Sequence, residues 1–178
     1  MNNLFHVGID IGSTTVKVVI LDNDHELIYH RYERHYADIK KKLQQILEDS
    51  SNILTLDDSW LTVTITGSGG MSIAASLGVP FTQEVMAATK AIKTYHPETD
   101  VVIELGGEDA KITYFKDGIE QRMNGTCAGG TGSFIDQMAV LLQVDAAGLN
   151  DLAKNYKMIY PIAARCGVFA KTDVQPLL

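Results

Sequence analysis

The chain has 178 residues, 46% of them hydrophobic, and a formal net charge of −7 at pH 7. This content suffices for a packed core, and the acidic balance argues against a surface that binds nucleic acid or an anionic membrane. No stretch reaches the roughly 20 apolar residues of a membrane-spanning helix, and the first residues lack the pattern of a signal peptide. We therefore expect a cytoplasmic protein with no nucleic-acid or membrane partner.

The chain opens with a pattern typical of antiparallel strands. Apolar runs at residues 5–11 and 16–21 flank a turn of small residues, which predicts a β-hairpin, and residues 26–33 predict a third strand. This meander excludes a simple Rossmann opening, in which the first strand leads into a helix.

Helices and one more strand complete the first half. Apolar residues at helical spacing follow Asp38, a suitable N-cap, and Leu61 to Thr66 alternate in the manner of a half-buried strand. A short helix ending at Leu77 with Gly78 as its C-cap, and a longer helix from Glu84 to Tyr95, are predicted next.

The second half repeats this order. Residues 101–105 and 110–115 predict a second glycine-turned hairpin, residues 119–123 a third strand, and helices follow to about Tyr156. The two halves thus look like a pseudo-repeat, and we place a boundary between residues 1–97 and 98–178.

The turn of the first hairpin is surrounded by groups suited to Mg·phosphate binding. Backbone N–H groups and hydroxyls can donate to phosphate oxygens, a lysine adds positive charge, and an aspartate can hold Mg²⁺ through water. An ordinary hairpin turn is the alternative, because short glycine turns are common. The residues concerned are Asp10, Gly12, Ser13, Thr14, Thr15 and Lys17.

The turn of the second hairpin carries three acids around two glycines. Such acids would repel phosphate unless a metal ion lies between them or one of them orients an attacking water. A solvated acidic turn is the alternative for this motif alone, and two facing hairpins are harder to dismiss. Walker A and dinucleotide-binding patterns are absent. The residues of this second turn are Glu104, Gly106, Gly107, Glu108 and Asp109.

Cys127 lies in the glycine-rich stretch NGTCAGGTGSF, ahead of a predicted helix that opens at Ser133. The free N–H groups of a helix N-terminus would favour a thiolate, which could bind metal. A phosphate-cradling loop with an incidental cysteine fits this stretch equally well. The other cysteine is Cys166, and in a reducing compartment a disulfide between the two is the less favoured use.

Four motifs resemble one family over nearly the whole chain. GIDIGSTTVKVVILD (8–22) and IELGGEDAKI (103–112) resemble the phosphate motifs of the ATP-dependent activators of 2-hydroxyacyl-CoA dehydratases and the related benzoyl-CoA reductase ATPase subunits. NGTCAGGTGSF (124–134) and ARCGVFAKTDV (164–174) resemble the two cluster-cysteine motifs of that family. Glu104 and Glu108 stand where its second phosphate motif commonly has aspartate and glutamine.

This resemblance implies an α/β protein of the actin, Hsp70 and sugar-kinase superfamily. Its two actin-like, ribonuclease H-like lobes would have mixed sheets that open with antiparallel hairpins, a nucleotide cleft between those hairpins, and an incomplete second lobe. We expect the sequence to be part of a longer chain, because the adenosine motif of the superfamily lies beyond this region, and this portion alone could be inactive.

The resemblance also implies the cofactors and the partners. Asp10, Glu104 and Asp109 carry over as catalytic residues, and the other residues of the two hairpins as ligands of ATP and Mg²⁺. Cys127 and Cys166 carry over as ligands of one [4Fe–4S] cluster shared by a homodimer. Such a cluster ordinarily takes four thiolates, so two chains would supply the set.

The implied activity is ATP hydrolysis coupled to one-electron transfer under anaerobic conditions. The acceptor would be an acyl-CoA dehydratase or reductase component, and the donor reduced ferredoxin or flavodoxin. Two alternatives stay open: a small-molecule kinase of the same superfamily, and a non-catalytic nucleotide-sensing or assembly module.

Overall fold

The structure is a computed structural model that describes residues 3–52, 54, 59–124, 129–164 and 166–178. The chain divides into two compact units, Met1–Glu98 and Thr99–Leu178. Among the described residues, none of the helices combines the length and hydropathy needed to cross a bilayer.

The described part of the first unit contains four strands and three helices. In chain order they are β1 (Asn3–Ile11), β2 (Thr15–Leu21), β3 (Leu27–Arg34), α1 (Ile39–Ser51), β4 (Ser59–Thr66), α2 (Gly70–Leu77) and α3 (Glu84–Tyr95).

The sheet of the first unit has the strand order β3-β2-β1-β4. The first three strands form an antiparallel meander, which confirms the predicted hairpin and third strand, and β4 joins parallel to β1. A parallel partner requires a crossover, and α1 supplies it between β3 and β4. The sheet is therefore mixed.

One face of this sheet forms the core of the first unit. Side chains alternate along β1 and β2, so every second residue is buried against α1 and α2, and each such aliphatic side chain contributes about 1.5–3 kcal/mol. The buried residues of the two strands are Val7, Ile9, Ile11, Val16, Val18 and Ile20. The same alternation places Asp10 and Lys17 on the opposite face.

The predicted helix ends in this unit are confirmed. Asp38 caps α1, where its side chain accepts a hydrogen bond from the Lys41 N–H. Gly78 ends α2 in the left-handed conformation at φ 66°, and α3 runs from Glu84 to Tyr95 as the sequence predicts.

The described part of the second unit contains three strands and three helices, in an order that begins like the first. An antiparallel sheet of order β5-β6-β7 precedes the helices, and a short 3₁₀ turn, Gln175–Leu177, follows them. The elements are β5 (Val101–Leu105), β6 (Ala110–Tyr114), β7 (Glu120–Met123), α4 (Gly132–Leu141), α5 (Ala146–Lys154) and α6 (Gly167–Val174).

Among the described elements, the 3₁₀ turn Gln175–Leu177 and helix α6 are not predicted from the sequence. Helix α6 has eight residues and buries only Ala170. A helix this short that buries a single side chain shows no apolar periodicity, which is the signal that sequence reasoning uses.

Candidate functional site

The first turn joins β1 to β2 through a short backbone loop. The Gly12 N–H donates to the Thr15 carbonyl at 2.9 Å. Ser13 is exposed at the tip of the turn, whereas Thr15 is 8% exposed. Ser13 is therefore better placed than Thr15 to reach a ligand in solution.

Asp10 and Lys17 face each other across the hairpin. They are partners in the β1–β2 register, and the Lys17 Nζ lies 2.6 Å from the Asp10 Oδ2, with both side chains partly exposed. The ammonium also lies 5.3 Å from the centre of the Tyr32 ring. The Lys17 ammonium, which the sequence predicts to bind phosphate, thus lies between the Asp10 carboxylate and the face of the Tyr32 ring.

A glycine-rich loop after β4 packs against the end of β1. The Gly69 N–H donates to the Ile11 carbonyl at 2.8 Å. Gly67 has φ +94°, and a Cβ there would lie 2.3 Å from the Ile11 carbonyl oxygen and 2.6 Å from the Asp10 Oδ1. Only glycine fits, because neither that φ nor that space admits a side chain.

The sequence analysis assigns no function to this glycine loop. The parallel pairing of β4 with β1 explains why this loop lies beside the first turn. Parallel strands end at the same edge of a sheet, so the loops that follow them come together. The loop is also held from α3, where the Glu84 Oε1 accepts the Ser68 N–H at 3.0 Å.

The residues beside Asp10 fit a hydrated Mg²⁺ ion. Thr66 is the β4 residue paired with Asp10, and its hydroxyl is buried without a hydrogen-bond partner among the described residues. Buried hydroxyls ordinarily have partners. A water bound to Mg²⁺ would satisfy this hydroxyl, and Mg²⁺ commonly uses one carboxylate and several waters.

The second turn is as tightly closed as the first. The Gly106 N–H donates to the Asp109 carbonyl at 2.8 Å, and a Cβ at Gly106 would lie 2.5 Å from the Asp109 Oδ1. Lys111 pairs with Glu104 in the register, and its Nζ lies 3.6 Å from the Asp109 Oδ2. Glu108 is exposed, whereas Asp109 is ion-paired with Lys111.

Helix α4 begins on this second turn. The Gly132 N–H donates to the Gly106 carbonyl at 2.7 Å, and the Ser133 N–H donates to the Gly107 carbonyl at 3.0 Å. The Ser133 hydroxyl donates to the same Gly107 oxygen. The expectation that these first N–H groups are free for the cysteine loop is therefore wrong for Gly132 and Ser133, because turn carbonyls already accept them.

The other flank of the cysteine stretch is also bound to the second hairpin. The Asn124 N–H donates to the Ala110 carbonyl at 2.9 Å, and the Asn124 Oδ1 accepts the Ala110 N–H at 2.9 Å. Cys127 itself lies outside the described residues. The described residues on both sides of Cys127 are thus hydrogen-bonded to the second turn and to the first residue of β6.

Cys166 is a free, partly exposed thiol at the N-cap of α6. A Cβ on the next residue, Gly167, would lie 3.1 Å from the Phe134 Cδ2 and 3.4 Å from the Gly129 Cα. The described parts of the two cysteine motifs are therefore in contact. An available thiol at this contact fits a thiolate-ligated cluster, although the described residues contain no group of three or more metal-binding side chains.

Together, the α/β fold, with one mixed and one antiparallel sheet among the described residues, and the two glycine turns define an actin-like ATPase fold. A model of the BadF/BadG/BcrA/BcrD ATPase family matches residues 7–178, and the chain belongs to that family.

The relatives with informative names are dehydratase activators. The chain is 29% identical over 175 residues to the (R)-2-hydroxyglutaryl-CoA dehydratase activating ATPase of Acidaminococcus fermentans. The aligned region covers 97% of this chain and 66% of that protein. The crystal structure of component A of that dehydratase superposes with a TM-score of 0.79 at 26% identity, over 96% of this chain and 66% of the other.

A second solved structure is also similar. The activator of the 2-hydroxyisocaproyl-CoA dehydratase from Clostridium difficile, with bound ADPNP, gives a TM-score of 0.77 at 27% identity, over 96% of this chain and 64% of the other. The chain thus spans slightly less than two thirds of the length of these relatives.

Proposed function

We propose that this protein is an ATP-hydrolysing activator of a 2-hydroxyacyl-CoA dehydratase-type enzyme. It would bind Mg·ATP at its glycine turns and couple hydrolysis to one-electron transfer to that partner. The observation that carries the proposal is the set of hydrogen bonds from the second turn to Asn124, Gly132 and Ser133. A change at the turn would reach both ends of the cysteine loop directly.

The residues of the first hairpin would bind the phosphates and the metal ion. The exposed Ser13 would donate to phosphate oxygens through its hydroxyl and its main-chain N–H. Asp10 and Thr66 would hold the waters of Mg²⁺, and the ion would supply positive charge that offsets the charge developing on the phosphates. Gly67 and Gly69 keep the end of β1 in place.

The acids of the second hairpin would orient the attacking water. Glu104 and Asp109 are partly buried, and the Lys111 ammonium offsets the charge of Asp109, so they would hold a water with one of their two charges compensated. Water then displaces ADP from the terminal phosphoryl group, and inorganic phosphate leaves.

Cys127 and Cys166 would hold half of a [4Fe–4S] cluster, and a second copy of the chain would supply the other half. The cluster supplies a one-electron carrier of low potential. Reduced ferredoxin or flavodoxin is the proposed donor. The protein's own contribution is the connection of Asn124 and Ser133 to the glycine turn.

The first test is an anaerobic iron and sulfide assay with an absorption spectrum, together with phosphate release from Mg·ATP by the full-length protein. We expect bound iron and sulfide, and phosphate release that requires no added acceptor. Phosphate transfer to a sugar or another small molecule without bound iron would contradict the proposal and favour the kinase alternative. ATP binding without phosphate release would favour a sensing or assembly module.

The variant Asp10→Asn tests the metal-binding role. We expect ATP hydrolysis to fall at least about tenfold, because an amide holds a hydrated cation poorly. Stability should change by at most about 1 kcal/mol, since the broken ion pair with Lys17 is partly exposed.

Glu33→Gln is the matched control for that variant. It breaks the 2.8 Å ion pair between Lys42 and Glu33, which has a similar exposure. Glu33 is the register partner of the buried Val16, so it lies on the helix-covered face, opposite Asp10. Hydrolysis should be unchanged in Glu33→Gln, and wild-type hydrolysis in Asp10→Asn would show that Asp10 has no such role.

A further inference from the structure

His35 is buried against the first turn, although neither its sequence context nor its charge marks it as a site residue. It directly follows β3 and is 6% exposed. Its main-chain N–H donates to the Thr14 carbonyl at 3.2 Å. Its ring Nε2 lies 3.2 Å from the Gly12 carbonyl oxygen. His35 therefore contacts two carbonyls of the turn, those of Gly12 and Thr14.

The hydrogen bond at the other ring nitrogen determines the tautomer. The Ala37 N–H donates to the His35 Nδ1 at 3.1 Å, so Nδ1 is an acceptor. A neutral imidazole then carries its hydrogen on Nε2 and donates it to Gly12. Both ring nitrogens are thus used, and the ring orientation is defined from two sides.

The segment after His35 holds the ring in this orientation. Tyr36 and Ala37 have φ of 47° and 65°, a region that residues other than glycine rarely adopt. The Asp38 N–H donates to the His35 carbonyl at 2.8 Å, and Asp38 caps α1. Two successive left-handed residues cost free energy, and such strain persists where the surrounding structure enforces it.

Fixing the Gly12 carbonyl also fixes the next amide group. In a trans peptide the C=O and the N–H point to opposite sides, so a Gly12 carbonyl bound to His35 directs the Ser13 N–H away from His35. Ser13 is the exposed residue of the turn. The imidazole therefore points the negative end of this peptide inward and its positive end toward any anion at the tip.

We propose that His35 is a positioning residue for the phosphate-binding turn, holding the Gly12–Ser13 peptide with its N–H aimed at a phosphate of the nucleotide. The inference rests on the proposed function, since it assigns a role at the same ATP site. His35 does not touch the phosphate; it acts through the main chain of Gly12 and Thr14.

Two variants separate the functions of the two ring nitrogens. The amide nitrogen of His35→Gln reaches the place of Nε2 and can donate to Gly12, whereas the shorter side chain of His35→Asn reaches only the place of Nδ1. We expect His35→Gln to keep its affinity for Mg·ATP within about threefold, and His35→Asn to lose about tenfold, the factor expected for one lost hydrogen bond. His30→Asn, at an exposed position of β3, is the control and should bind as the wild type does.

Adenosine separates a positioning role from a merely structural one, because it lacks the phosphates that the turn is proposed to bind. Displacement of a fluorescent ATP analogue gives the affinities for ATP and for adenosine, and thermal unfolding without nucleotide reports stability. We expect His35→Asn to weaken ATP binding while adenosine binding stays unchanged. An equal loss for both ligands, or ATP binding in His35→Asn as tight as in His35→Gln, would overturn the inference.

ATP binding by the wild-type protein distinguishes a failure of the His35 role from a failure of the proposed function. If it binds and hydrolyses ATP while His35→Asn does so equally well, the positioning role fails and the proposed function stands. If the wild type binds no ATP, the proposed function fails and the role of His35 falls with it. If His35→Asn does not fold, His35→Gln decides, because a loss of ATP affinity beyond threefold in that variant contradicts the role of Nε2.

Discussion

Cross-strand pairing decides which single charges meet in this protein. Asp10 and Lys17 are seven positions apart, yet the hairpin register brings them into contact at 2.6 Å. On the second hairpin, Lys111 is the register partner of Glu104, and its Nζ lies 3.6 Å from the Asp109 Oδ2. The acids assigned to Mg²⁺ and to water are therefore less repulsive toward phosphate than their number in the sequence indicates.

Tyr29 gives a pH-dependent prediction at the residue scale. It is 4% exposed, and its hydroxyl donates to the Ile46 carbonyl at 3.1 Å. Burial raises the pKa of Tyr29 above its ordinary value of 10.0, Asp49 and Glu33 act in the same direction, and Arg31 opposes them. The folded protein thus holds this proton more tightly than the unfolded chain does.

The sign follows from that difference in proton binding. Ionisation of Tyr29 does not change the free energy of unfolding while the pH is below the ordinary pKa. As the pH rises above that pKa, the free energy of unfolding falls. Tyr29→Phe should cost about 1 kcal/mol at neutral pH, through the lost hydrogen bond, and should reduce the alkaline decline. Urea unfolding at neutral pH and above pH 10 checks this, and equal declines in wild type and variant would contradict it.

At the scale of elements, the loop between β4 and α2 is fixed by close backbone contact. Gly67→Ala should cost at least about 3 kcal/mol, because the added Cβ meets the Ile11 carbonyl and φ is positive. Gly78 also has positive φ, but a Cβ there meets nothing within 4 Å, so Gly78→Ala should cost only about 1 kcal/mol. Urea unfolding measures both, and similar costs would mean that the loop relaxes away from β1.

The start of α4 gives a second prediction at this scale. Ser133→Ala removes the hydroxyl donor to the Gly107 carbonyl while the main-chain bond stays. We expect unchanged iron content and phosphate release, but at least about fivefold fewer electrons delivered to the partner per ATP, because the variant weakens the connection between the turn and the helix.

Ser76→Ala is the control for that connection. Its hydroxyl also donates to a carbonyl, that of Ile73, within α2. Electron delivery per ATP should be normal in this variant. If Ser133→Ala and Ser76→Ala behave alike, the contact between α4 and the glycine turn carries no coupling.

At the scale of the whole molecule, the proposed function would connect the two cysteines to assembly. The given sequence contains two cysteines, and a [4Fe–4S] cluster ordinarily takes four thiolates, so on this proposal a second copy of the chain would supply the other two. Cys127→Ser and Cys166→Ser should each lower bound iron from about two atoms per chain to near zero. Sedimentation should show that both variants, and the air-exposed wild type, dissociate to monomers.

Two results would contradict this account. Unchanged iron in both variants would show that the cysteines are not ligands. An identical dimer in the variants, the oxidised protein and the reduced wild type would show that protein contacts alone hold the interface.

Local interactions explain what the sequence could predict. Helix α3 has the predicted ends, Asp38 and Gly78 are the predicted caps, and both hairpins lie where strand alternation and turn residues indicate. These features depend on residues within a few positions of each other. The resemblance of four motifs likewise indicated the actin-like fold and the family.

The sequence by itself thus determined the strands, the helices other than α6, the turns and the family, because short runs of neighbouring residues encode them. Only the tertiary structure showed that the loop after β4 packs against β1, that His35 binds the first turn, and that α4 begins on the second. Each of these depends on hydrogen bonds between residues far apart in the chain. Their partners are brought together by strand order and packing, which no local pattern specifies.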